Sequence, residues 1–239
     1  AALVDHPTPA MVSITGSVRA GMEVASSAAK QLKRVHLELG GKSPIVVFSD
    51  ADLDNAVEWT VDGAFRNTSQ NCCCSSRIFV EEGIYDEFVK RLVERTKKIK
   101  VGKYNEEGVF IGPLINARQF KNALNYIKIG KEDEKLELVT GGNRVGDKGY
   151  FVEPTIFINV PDDSRLAREE IFGPVLCVMK AFKSVNEALE RANDTNYGLA
   201  SGVFTKDMDK AEFFVRNIQA GTVWVNYYNI TPYNVPFGG

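Results

Sequence analysis

Val35-His36-Leu37-Glu38-Leu39-Gly40-Gly41-Lys42-Ser43-Pro44-Ile45-Val46-Val47-Phe48 reads as two short strands, residues 35–39 and 45–48, separated by a glycine pair and a proline. The period then changes. Leu53, Ala56, Val57, Val61 and Ala64 recur at helical spacing, so a helix is expected over 52–65, with Ser49 and Asp50 as candidate caps. A strand at 77–80 follows, and then an amphipathic helix at 84–99, through Phe88 and Leu92, that closes in a basic turn. Strands alternating with helices in this way belong to an α/β fold whose sheet is covered on both faces.

Working outward, the alternation continues to the end of the chain. Helices are expected at 117–131, 185–193 and 208–218. Strands are expected near 138 and over 155–157, 175–181, 202–204 and 223–226, with a turn-rich loop at 141–149. Upstream, a strand and a helix flank Thr15-Gly16-Ser17. The fold class is therefore α/β, a mostly parallel sheet with flanking helices. There are no repeats, no low-complexity segment and no flexible linker. The one arguable boundary lies near Glu38, dividing residues 1–37 from 38–239.

With 239 residues, 44% of them hydrophobic, the chain can bury a substantial core. Twenty-nine basic and 31 acidic residues leave a net charge of −2 with no basic block, so neither nucleic acid nor a membrane surface is an expected partner. No apolar run approaches the roughly 20 residues of a membrane span. The start lacks a basic segment followed by an apolar one, which makes a cytoplasmic location the default and leaves an upstream organellar presequence open. The four cysteines, three of them consecutive, make no disulfide framework, because neighbours do not readily reach disulfide geometry. No Cys-x-x-Cys pair or His spacing forms a zinc site, so no metal is expected.

Two motifs carry chemistry. Phe65-Arg66-Asn67-Thr68-Ser69-Gln70-Asn71-Cys72-Cys73-Cys74 presents thiols after a predicted helix, and Glu38 stands 34 residues before Cys72. A thiol nucleophile that forms an acyl-enzyme needs a base to activate water, and a carboxylate supplies one. Composition alone permits a plainer reading, three small buried hydrophobes and a strand-end carboxylate.

The two motifs and their separation resemble the aldehyde dehydrogenase superfamily, whose motifs read Glu-Leu-Gly-Gly-Lys and Phe-x-x-x-Gly-Gln-x-Cys. Four more follow in the family's order: Ile14-Thr15-Gly16-Ser17, Glu169-Glu170-Ile171-Phe172-Gly173-Pro174, Asn196-Tyr197-Gly198-Leu199-Ala200 and Pro236-Phe237-Gly238-Gly239. Ser69 departs from the pattern, standing where the family usually has glycine. If that position needs positive φ, Ser69 is strained.

The resemblance implies the second half of such an enzyme, with a remnant of the dinucleotide-binding domain at 1–37 and the catalytic domain at 38–239. It implies NAD or NADP as cofactor, a small-molecule aldehyde as substrate, and a homo-oligomer at full length. Cys72 would be the nucleophile, forming a thiohemiacetal and then a thioester, and Glu38 the base for hydrolysis to a carboxylic acid. Gly16 and Ser17 would meet the diphosphate, and Glu170 and Phe172 the nicotinamide ribose and ring. Cys73, Arg66, Thr231 and Phe237 would flank the substrate. Arg66 suits a carboxylated aldehyde, whereas Tyr227, Tyr228 and Tyr233 suit an apolar or aromatic one. A non-catalytic protein descended from such an enzyme would keep the same core without binding cofactor.

Three other motifs fail on inspection. Gly41-Lys42-Ser43 ends like a phosphate loop but has His36 in place of the leading glycine. Asp50-Ala51-Asp52-Leu53-Asp54 begins like a calcium loop but has Asn55 and Val61 where glycine and glutamate are required. A Cys72–His36 hydrolase pair has no third group to orient it.

Overall fold

A computed structural model describes residues 2–239. In chain order its helices are α1 (Ala2–Asp5), α2 (Val18–Ala29), α3 (Leu53–Phe65), α4 (Tyr85–Thr96), α5 (Ala117–Lys128), α6 (Arg165–Arg168), α7 (Val185–Asn193) and α8 (Met208–Asn217). Its strands are β1 (Met11–Thr15), β2 (Arg34–Glu38), β3 (Ser43–Val47), β4 (Ser75–Val80), β5 (Lys100–Val101), β6 (Val109–Ile111), β7 (Glu137–Thr140), β8 (Thr155–Val160), β9 (Val175–Met179), β10 (Ala200–Phe204) and β11 (Thr222–Val225).

Seven strands form the central sheet in the order β11-β10-β3-β4-β9-β8-β7. All its pairings are parallel except that of edge strand β7 with β8. Apolar residues on successive positions of one strand go to opposite faces, as the two-residue period requires. Ile45, Val47, Ile78 and Val80 pack beneath α3 and α4, against Val61, Phe65, Phe88 and Leu92. Val46, Phe48, Phe79 and Cys177 pack on the other face with Ala123 and Ile127 of α5, Leu189 of α7 and Phe214 of α8. Near-continuous burial of β3, β4, β9 and β10 follows from helices on both faces.

β1 and β2 form a separate parallel pair. β2 stops at Glu38 and β3 starts at Ser43. The glycine pair therefore spans the gap between the two sheets.

Two expectations change. The cap of α3 is Asp52, whose carboxylate accepts from Asn55 N at 3.2 Å, rather than Ser49 or Asp50. Asp50 is engaged across the fold instead, accepting from the Thr205 hydroxyl at 2.7 Å and from the N–H groups of Lys206 and Asp207 at 3.0 and 2.9 Å. The short strands β5 and β6 were not expected either, being too brief to show a period. Among the described residues no helix is long and apolar enough to cross a membrane.

Candidate active site

The glycine pair joins the two motifs physically. A Cβ on Gly41 would lie 2.4 Å from the Cys72 carbonyl oxygen, and one on Gly40 would lie 2.1 Å from Glu170 Oε2. Both distances are shorter than any side chain tolerates, so the loop after Glu38 packs directly on the backbone of Cys72 and on the Glu170 carboxylate. Gly41 N–H also donates to Glu170 Oε1 at 3.2 Å.

The cysteine loop reaches this place through three successive left-handed residues, Asn67, Thr68 and Ser69, with φ of 54, 58 and 59°. Such backbone costs roughly 1–2 kcal/mol per non-glycine residue. Ser69 is thus in the strained conformation expected of it. Side chains hold the turn in compensation: Ser69 Oγ donates to Ala64 O, Thr68 Oγ1 to Gly112 O at 3.1 Å, and Asn67 Nδ2 to Gln70 O at 2.9 Å.

The three thiols have different surroundings. The Cys73 thiol beside it brings the Cys72 thiol down to about 7, helped by the backbone N–H groups of Cys73 and Cys72 and opposed by burial and by Glu38. Cys73 itself is 3% exposed, with its sulfur 3.3 Å from Asn71 Oδ1 and 3.2 Å from Asn229 Oδ1; its thiol is pushed upward. Burial pushes Cys74 up to about 12 and Cys177 to about 11. Of the triplet, Cys72 is the readily ionised member.

A cleft of about 330 Å³ is lined by Cys72, Glu38, Glu170 and Phe172, by Thr15, Gly16 and Ser17 at the start of α2, and by Arg118, Gln119 and Asn122 of α5. Six expected site residues thus meet in one cavity. Burial raises the Glu170 carboxyl, against the Gly41 N–H and the Lys42 ammonium. Glu38 Oε2 is buried and has no hydrogen-bond partner among the described residues. Phe172 is held at φ 55°, with Gln119 Nε2 donating to the carbonyls of Ile171 and Phe172, both at 2.8 Å, and Asn122 Nδ2 to Ile171 O at 3.0 Å. These α5 residues escaped the sequence reading, since polar positions on an amphipathic helix look like a solvated face.

Glu38 also borders a second cleft of about 430 Å³, whose lining includes His36, Tyr197, Leu199 and Phe237. Phe237 is therefore beside the carboxylate but not in the Cys72 cleft.

Other expected roles meet obstacles. Gly16 N–H already donates to Glu38 O at 3.0 Å, extending the β1–β2 ladder; an anion would meet the first turn of α2 rather than this amide. Ser17 Oγ caps that helix through Ala20 N at 3.3 Å. Arg66 lines neither cleft. Its guanidinium is bound at both ends by Asp62, one turn earlier, with Nε at 2.9 Å from Oδ2. Cys73 is turned into the core, and Thr231 is exposed in the coil behind Ile230, whose carbonyl is fixed by the Trp224 indole at 2.8 Å. Tyr228 is fully buried, donating to Cys73 O at 2.8 Å, and Tyr233 is fully exposed.

Known proteins resemble this chain along its whole length. The model of the aldehyde dehydrogenase family matches residues 1–239. The whole chain is 49% identical to betaine aldehyde dehydrogenase of Mesorhizobium japonicum, covering 50% of it, and 52% identical to human aldehyde dehydrogenase 1A1, covering 48%. The chain thus spans about half the length of the curated relatives it matches. Among solved structures, an NAD-dependent aldehyde dehydrogenase from Sinorhizobium meliloti superposes with a TM-score of 0.97 at 39% identity, over 99% of this chain and 47% of that one. Betaine aldehyde dehydrogenase from Staphylococcus aureus in complex with NAD+ superposes at 0.95 and 35% identity, over 99% of this chain and 47% of that one.

Proposed function

The chain belongs to the aldehyde dehydrogenase family, and from that premise we propose that the whole protein oxidises an aldehyde to a carboxylic acid with NAD or NADP, through a thioester on Cys72. The observation that carries this reading is the single cleft shared by an easily ionised thiol, a carboxylate with an unpartnered buried oxygen, and Glu170.

The residues present suit a nicotinamide dinucleotide. The first turn of α2 offers the positive end of a helix dipole to a diphosphate, the Glu170 carboxylate can accept from ribose hydroxyls, and the Phe172 ring offers an apolar surface. When bound, that cofactor supplies an acceptor for the hydride of the oxidation. NAD is the cofactor of the Sinorhizobium neighbour by its description; nothing in this cleft selects it over NADP.

The Cys72 thiolate adds to the aldehyde carbon, giving a thiohemiacetal whose oxyanion the Cys72 N–H can stabilise. Loss of hydride leaves a thioester. Glu38 then takes a proton from water, whose oxygen attacks the thioester carbon and expels the thiolate. Gly40 and Gly41 keep Glu170 and Cys72 in register with Glu38. Because Asp62 satisfies Arg66, the substrate we favour is an uncharged aldehyde rather than one with a carboxylate.

Cys72→Ala and Glu38→Gln test the two roles. With NAD, NADP and an aldehyde panel, the first is expected to abolish formation of reduced nicotinamide. The second is expected to leave one stoichiometric burst without turnover. Steady turnover in Cys72→Ala would overturn the reading. The alternative, a non-catalytic relative, requires a folded protein that binds no cofactor; the intact cleft speaks against it.

A further inference from the structure

We propose that His36 is a positioning residue that takes the proton from Glu38 after each hydrolysis and delivers it to solvent; this rests on Glu38 being the general base. The two residues are two apart on β2, hence side by side on one face of the strand. His36 Nε2 lies 3.5 Å from Glu38 Oε1. Its Nδ1 lies 3.0 Å from Ser13 Oγ on β1, the residue paired with His36 in the parallel ladder. The ring is therefore held at both nitrogens. When Glu38 is protonated, a ring that donates Nδ1–H to Ser13 Oγ leaves Nε2 free to accept from the carboxyl.

Position makes the direction of transfer clear. Glu38 borders both clefts, whereas His36 lines only the second. The Glu38 side chain is 18% exposed and that of His36 53%, so the imidazole is the more open of the two. A base that ends each turnover protonated beside the thioester cannot act again until the proton leaves. His36 is the imidazole among the side chains that line this second cleft. Tyr197, the other titratable group there, is kept protonated by burial. β1 contributes Ser13 and α2 contributes Val18, neither of which titrates, while Arg34 stands two residues back on β2.

The step balances without any added reagent. Water beside Glu38 loses a proton to the carboxylate; the water oxygen forms the bond to the thioester carbon, and the carbon–sulfur bond breaks to return the Cys72 thiolate. Protonated Glu38 passes the proton to neutral His36 Nε2, directly or through one water. The imidazolium then gives a proton to water in the second cleft.

The test uses the whole protein and p-nitrophenyl acetate, an activated ester that acylates a thiolate without any cofactor. The rapid burst of p-nitrophenolate reports acylation of Cys72, and the following steady rate reports deacylation. In His36→Gln the burst is expected to be unchanged, with the steady rate at neutral pH lower by about tenfold or more; the deficit should shrink at high pH, where hydroxide removes the proton. Added imidazole, after subtraction of its own hydrolysis of the ester, is expected to restore His36→Ala but not Glu38→Gln, a difference that a purely structural loss would not give. An unchanged steady rate in His36→Gln across the pH range, or a His36→Ala defect that imidazole leaves untouched, would overturn the proposal. Glu38→Gln separates the two levels. If it loses the steady rate while His36→Gln keeps it, only the role of His36 falls; if it keeps the steady rate, the base assignment falls as well.

Discussion

Cys72 differs from its neighbours in what surrounds its sulfur, and the difference is measurable. A thiol brought to about 7, beside others pushed to about 12 and 11, predicts alkylation by iodoacetamide at one site near neutral pH. The rate should rise with pH through about 7 and then level off; peptide mapping that finds Cys74 or Cys177 modified first would contradict this. Ser69 permits a second prediction. Ser69→Gly relieves the φ of 59° but loses the hydroxyl bond to Ala64 O, so stability should change by less than about 1 kcal/mol. Ser69→Ala keeps the strain and loses the bond, and should cost about 1–2 kcal/mol; denaturant midpoints check the order of the two. The positions of Cys72, Glu38, Glu170 and Phe172 beside one cleft were legible because each sits in a short motif. Those of Arg66, Cys73 and Thr231 were not, because partners elsewhere decide them: Asp62 for Arg66, Asn229 for Cys73, and for Thr231 the Trp224 anchor on Ile230.

Between elements, the glycine pair and Asp50 carry the tightest constraints. Gly41→Ala forces a methyl group against the Cys72 carbonyl at 2.4 Å. It should displace the nucleophile from Glu38 and lower kcat by 100-fold or more, on the order expected for a misplacement of about 1 Å, while circular dichroism stays native. Burial alone would raise the Asp50 carboxyl, but the Thr205 hydroxyl, the Asp207 and Lys206 N–H groups and Lys210 hold it below its usual range. A carboxyl depressed in the fold contributes stability above its unfolded pKa and loses it as pH falls through the lower folded value. Asp50→Ala should therefore cost about 2–3 kcal/mol at neutral pH and progressively less in acid, which urea titrations at several pH values would reveal. The two-residue alternation made the sheet and its main helices legible. That Asp50 would tie β10 and α8 to the loop before α3 was not, since the bond spans 155 residues of chain.

In the whole molecule, the central sheet and the separate β1–β2 pair bring their loops to one place. β2 delivers Glu38 from its carboxyl end, while the loops entering the amino ends of β4 and β9 deliver Cys72 and the pair Glu170 and Phe172. Arg66, paired with Asp62 and absent from the lining of this cleft, should contribute no charge selectivity. Arg66→Ala is expected to change kcat/KM for a semialdehyde and for an uncharged aldehyde by the same factor; a selective loss with the semialdehyde would restore a substrate role. The thioester on Cys72 is the intermediate on which the proposed reaction turns. Its most direct test is to mix Glu38→Gln whole protein with NAD or NADP and aldehyde, then quench and measure intact mass and peptide maps. One equivalent of reduced nicotinamide and one acyl group, located on Cys72, are expected. Reduced nicotinamide without any acyl adduct, or an adduct on Cys73 or Cys74, would contradict it.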